Sequence, residues 1–175
     1  MAEPEHHRYR CHTCGQIHDE VPMSFAADSP DMYANMSESD RETRAVIGSD
    51  QCIIDGKWFF LRGCLEIPLI GSREVFLWGL WAILHETDFD EISESWEEVG
   101  RQQLHGPFKG RLANSLSACY EDCLNLKLRI VLRPVGERPL FVLEETEHPL
   151  SLAQATGISE QAAVELAVKL LHCPY

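Results

Sequence analysis

The dipeptide Asp55-Gly56 does more than any other feature to limit what this chain can fold into. It is flanked by Gln51 to Ile54 and Lys57 to Leu65, both rich in β-formers. Glycine tolerates positive φ, so Asp-Gly between two such runs predicts a hairpin with a two-residue turn. Ile54 then pairs with Lys57, and Asp50 falls opposite Leu61 and beside Arg62, close enough for a salt bridge. Pro68 and Gly71 end the ladder. The following run, Glu74 to His85, is apolar on both faces, which suits a central strand covered on each side. Trp78 and Trp81 lie on opposite faces of that strand, so both are read as core.

Around this nucleus the spacing predicts a helix over Met32 to Ile47, which Ser37 and Asp40 restart or cap. Thr87 and Asp90 form a second capping pattern before Phe89, Ile92 and Trp96, with Gly100 as C-cap. Arg101 to Gly110 is polar and reads as a loop. Leu124 to Pro134 alternates, with Leu124, Leu126, Leu128, Ile130 and Leu132 on one face and Asn125, Lys127, Arg129 and Arg133 on the other, as in a strand with one wet face. Leu140 to Leu143 is a further strand. A short helix from Leu150 stops at Gly157, and Ser159 caps a second one running to about His172. The stretch LAQATGISEQAAVEL has a helix-turn-helix outline, but its would-be reading helix carries Glu160 and Glu165, with Lys169 its one cation, so a helical hairpin packed on the sheet explains it better. The expected architecture is α+β: one domain over residues 1–175 with a mainly antiparallel sheet, flanking helices, a zinc-knuckle-like hairpin at 8–20 and a C-terminal helical hairpin at 147–173.

Composition narrows the function classes. The chain has 175 residues, 45% of them hydrophobic, enough for a core without disulfide staples. Its formal net charge is -13, which disfavours nucleic acid and anionic lipid and favours a basic protein, a cation or a small molecule. The plain alternative is that acidity only maintains solubility. The longest apolar run, Val75 to Leu84, is shorter than the roughly 18 residues a membrane span needs. MAEPEHHRYR carries no apolar leader segment, so a cytoplasmic location is expected. Seven cysteines, unevenly spaced, then read as thiols or metal ligands.

Cys11-His12-Thr13-Cys14-Gly15 has zinc-knuckle form. Two intervening residues let both thiolates face one ion, and Gly15 permits the reversal. A structural zinc needs four ligands. His18 is the nearest third, Cys52 and Cys64 come next, and His148 and His172 are more distant. The competing readings are thiols without metal, or a redox pair, which lacks the expected helix start. Cys119 and Cys123 read as unrelated thiols. An enzyme would have to build a pocket near the 50–66 hairpin from Asp50, Arg62, Glu66, His148 and Gln154. No nucleophile elbow, phosphate-binding glycine loop or dinucleotide fingerprint is present.

The stretches CHTCGQIHDEVPMSF, SDQCIIDGKWFFLRGCLEIPL, the WGLW of Trp78 to Trp81, LNLKLRIVLRP and EHPLSLAQATGIS span nearly the whole chain. In order and wording they resemble the bacterial domain-of-unknown-function family DUF2199. The resemblance implies a one-domain bacterial protein and carries over no catalytic residue. The family pattern before LNLK is a proline-containing loop without cysteines. Cys119 and Cys123 depart from it, which favours Cys11, Cys14, Cys52 and Cys64 as shared positions. The leading expectation is a non-enzymatic cytosolic binding or accessory protein with a structural zinc, its partner a protein or small molecule. An enzyme with a small polar pocket and an acidic immunity-type protein that neutralises a basic partner are the alternatives.

Overall fold

Strand β6 (Trp58–Pro68) organises the molecule, because its side chains alternate between two separate cores. The computed structural model describes residues 9–10, 15, 17–18, 21–104 and 106–172, with backbone alone for 9, 10, 17, 18 and 172. Along β6, Leu61, Leu65 and Ile67 are fully buried on one face, in the main core. Phe60 is buried on the other, with Trp81, Cys52, Ile54 and Ala113. Strand β7 (Val75–Leu84) pairs antiparallel with β6 from Phe59↔Leu84 to Pro68↔Val75. Its apolar residues serve both cores, Trp78 the first and Trp81 the second. That is the doubly covered central strand expected.

Three short strands turn this pair into a small barrel. β8 (Lys109–Leu112) pairs with β7, β9 (Lys127–Val131) with β8, and β10 (Leu140–Leu143) with β9, all antiparallel. β10 returns beside β6 at Leu140↔Cys64, where the Cys64 amide donates to the Pro139 carbonyl at 2.8 Å. An up-and-down path with an odd number of strands needs one parallel joint to close, and this is it. Phe141 fills the interior against Gly63, where no side chain of any size fits. β3 (Ser24–Ala26) adds parallel to β7, and β5 (Gln51–Ile54) and β4 (Ala45–Ile47) extend the sheet from β6. The sheet is mainly antiparallel, as expected. A separate two-stranded pair joins β1 (Tyr9–Arg10) to β2 (Ile17–His18); the cysteines between them lie outside the described residues.

Helices cover the main core. α3 (Glu86–Glu94) brings Phe89 to within 5.3 Å of Phe59, ring to ring. α4 (Pro149–Thr156) and α5 (Glu160–His172) contribute Leu150, Ala153, Ala163, Ala167 and Leu170. The linker between them bonds to the end of β6 at Leu69↔Ile158. A core-packed helical pair therefore accounts for the helix-turn-helix outline.

Several local expectations are corrected. The single helix over 32–47 is α1 (Asp31–Ala34), a break, then α2 (Glu38–Arg44), followed by β4. Ser37 does cap α2, accepting from the Asp40 amide, but Ala45-Val46-Ile47 leaves the helix to pair with β5. In the hairpin, Asp55 and Gly56 both take positive φ (56° and 58°), yet Ile54 pairs with Trp58 rather than Lys57. The extra residue shifts the register by one. α3 is capped by His85, whose ring accepts from the Thr87 amide, instead of by Thr87. β9 begins at Lys127 because Asp122 and Asn125 take positive φ and turn the chain first. Arg101, read as a loop residue, is buried. Its guanidinium donates to the Trp96, Arg133, Pro134 and Glu137 carbonyls and tethers that segment to the β9–β10 connection.

Candidate functional site

β8 and β9 place a block of cations on the outer face of the barrel. Leu112 and Leu128 point inward and are buried, so the alternate residues point out. The register sets Lys109 opposite Arg129 and Arg111 opposite Lys127. Directly opposed residues have Cβ atoms about 5 Å apart, and like charges there repel. All four are exposed. None joins an ion pair among the described residues, although Arg41, Arg44, Arg62, Arg101, Arg133 and Arg138 find carboxylates or carbonyls. Two like-charge pairs side by side without an ion pair are a notable concentration of positive charge in a chain of net charge -13.

Beside this block runs an open groove of about 690 Å3, lined by Trp58, His85, Lys109, Arg111, Asn125, Lys127 and Glu144 among others. Trp58 is 37% exposed, and the Lys57 ammonium sits 5.0 Å from its ring centre. Three of the four lysines in the chain, Lys57, Lys109 and Lys127, therefore surround one aromatic-walled groove. Glu144, paired beside Lys127 through its amide, is the one carboxylate in the lining. The groove lies within the size range of small-molecule sites, roughly 300–1,000 Å3. Glycine is required at 110 beneath it, since a Cβ there would stand 2.9 Å from the Ile83 carbonyl oxygen. The sequence reading identified Lys127 and Arg129 as a wet face but missed β8 and with it the second row. An alternating Lys109-Gly110-Arg111-Leu112 was the available signal.

The polar residues expected to form an enzyme pocket fall in two places. Asp50, Arg62 and Glu66 are on the outer side of the barrel near Cys64, but the expected Asp50–Arg62 salt bridge is replaced. Asp50 pairs with Arg138 at 2.5 Å and Glu66 with Arg133 at 2.8 Å, while Arg133 Nε donates to the Arg138 carbonyl. Arg62 donates to the Ala27 carbonyl and lies 5.8 Å from the Trp81 ring centre. The one-residue register shift sets Asp50 opposite Arg62, whose amide donates to the Asp50 carbonyl at 2.8 Å; the two side chains nevertheless part, the guanidinium to Ala27 and the carboxylate to Arg138. Burial alone would raise the Asp50 carboxyl, but hydrogen bonds from Arg138 and Ser49 outweigh it and hold it below the ordinary value. His148 and Gln154 belong instead to α4. The His148 ring accepts from the Leu150 amide and bonds the Glu121 carbonyl, and Gln154 clamps the backbone of Phe141 and Leu143. The five do not converge.

Of the expected metal ligands, Cys11 and Cys14 and the side chain of His18 lie outside the described residues. Cys52 is fully buried in the outer core, and burial raises its thiol to about 11. Cys64 is half-buried; its thiol too is raised by burial, against the nearby Arg133. Cys52 pairs with Phe60, and Cys64 lies four residues farther along β6, roughly 13 Å at strand spacing. The two cannot meet on one ion. Among the described residues no group of three potential ligands forms a metal site, and no helix is long and apolar enough to cross a membrane.

A family model for an uncharacterised protein conserved in bacteria, DUF2199, matches residues 10–158. No curated protein and no solved structure matches the chain.

Proposed function

The chain belongs to DUF2199, a family that supplies no activity to inherit, and we propose from its own geometry that it is a non-enzymatic binding protein that captures a small anionic molecule on the cationic face of its barrel. One observation carries this reading. Lys109–Arg129 and Arg111–Lys127 oppose like charges across two strands. Glu144 stands beside Lys127 and Asp88 at the Lys109 amide, yet no ion pair forms with any of the four among the described residues, and the cations outnumber the nearby carboxylates. Such an arrangement costs stability unless an anion supplies the missing charge. The acidic remainder of the chain does not cancel it, because charges beyond about 10 Å are largely screened at 0.1 M salt.

The same reading gives the protein a cytoplasmic accessory role and gives the Cys11 and Cys14 knuckle a structural zinc, supported by ligand spacing. Inorganic tripolyphosphate tests the anion site. At low salt and a hundredfold excess over its dissociation constant it should stabilise the fold by about 2.7 kcal/mol. That is a rise of roughly 5–11 °C in Tm for a chain of this length. The rise should vanish in about 1 M salt, where the screening length falls to about 3 Å, and in an Arg111→Gln, Lys127→Gln double variant. Equal stabilisation of the variant, or none of the native chain at low salt, defeats the reading.

A further inference from the structure

Resting on the anion-binding reading, we propose that the groove is a mononucleotide site, in which Trp58 stacks the base and the cation block takes a di- or triphosphate. Three features of the groove point to this ligand class. The cations form a compact two-by-two array, about 5 Å across the strands and roughly 7 Å along them. That array suits several negative charges held close together, as on a short phosphate chain. A single acid group would leave half of it unrelieved, and a long polynucleotide would carry its remaining phosphates onto a surface of net charge -13. The second feature is Trp58. It is partly exposed in the lining of the same groove, with a lysine ammonium over its ring, and a planar base stacks on an aromatic of this kind. The third is the company the cations keep. Glu144 and Asn125 line the groove with Lys109, Arg111 and Lys127, and Arg129 stands across from Lys109 beside it. A carboxylate there is unfavourable for a bare phosphate, but it is the acceptor a ribose hydroxyl takes. Base, sugar and phosphates thus each find a matching group, and inorganic phosphate satisfies only one of the three.

Calorimetry on the full chain, without added metal, separates the possibilities using adenosine triphosphate, tripolyphosphate, adenosine and a short single-stranded oligonucleotide. The expected result is that adenosine triphosphate binds at least about tenfold more tightly than tripolyphosphate, the gain that one stacked base provides. Trp58→Leu should remove that advantage and leave tripolyphosphate unchanged, and Trp58→Phe should keep part of it. Glu144→Gln should weaken the nucleotide and strengthen tripolyphosphate. If tripolyphosphate binds as tightly as the nucleotide and Trp58→Leu alters neither, the nucleotide proposal fails while anion binding stands. If the oligonucleotide binds more tightly than the mononucleotide, the assigned ligand class is wrong. If none of the four probes binds, both readings fall. Unchanged circular dichroism of the Trp58 variants, whose site is at the surface, shows that a lost advantage is not lost folding.

Discussion

Substituting Gly63 by alanine probes the barrel on which the cationic face depends. Gly63 lies on β6 directly against Phe141, whose ring is fully buried in the interior. A methyl built at 63 would stand 2.5 Å from Cζ and 2.8 Å from Cδ1 of that ring. Carbon atoms rest at about 3.5–4.0 Å, so the ring must retreat by roughly 1 Å into a core with no free side. Overpacking of this kind costs about 1–3 kcal/mol, and Gly→Ala returns about 0.4–1 kcal/mol by restricting the unfolded chain. A net loss of about 1–2 kcal/mol is expected, or a fall of roughly 2–8 °C in Tm at this length. The decisive assay is a double-mutant cycle by urea denaturation. Phe141→Leu removes the ring atoms in the way, at its own cost, and in its presence Gly63→Ala should be nearly neutral. The two changes should therefore couple by at least about 1 kcal/mol. Additivity within about 0.5 kcal/mol, the behaviour of independent sites, would refute the claim that Phe141 is what excludes a side chain at 63.

Other outcomes follow from the ionic pairs and the knuckle. Because the Asp50 carboxyl is held below its ordinary value in the fold, its contribution is complete above about pH 4 and is lost as pH falls through the folded value. Asp50→Asn should cost about 1 kcal/mol at neutral pH, since Arg138 is 40% exposed. The native and variant stability curves should converge as pH falls below the folded Asp50 value, itself below the ordinary one; parallel curves would show that the pair does not control the acid limb. Metal analysis of protein purified without an affinity tag should find about one zinc per chain, lost in a Cys11→Ser, Cys14→Ser variant. Equal sub-stoichiometric metal in both samples would remove the zinc assignment.

Local signals in the sequence were sufficient for the parts of this fold that depend on neighbours in the chain. Asp55-Gly56 specified a reversal because glycine accepts positive φ. The two-sided apolar run of β7 required burial on both faces, and the alternation of Leu128, Ile130 and their charged neighbours specified one wet face. Those are consequences of covalent spacing, and each stands in the structure. Register was another matter. One extra residue in the turn set Asp50 opposite Arg62, yet its carboxylate pairs with Arg138, which lies 88 positions away, and no local pattern encodes such a partner. Barrel closure was equally hidden, because the parallel joint at Leu140↔Cys64 brings together strands far apart in the chain. The cationic face depends on the same kind of long-range pairing. Lys109 and Arg111 are ordinary surface residues until β8 lies beside β9, when they oppose Arg129 and Lys127. Periodicity determined which side of each strand meets water; only the tertiary register decided which charges meet there, because strand pairing is set by the packing of the whole barrel and not by any one segment.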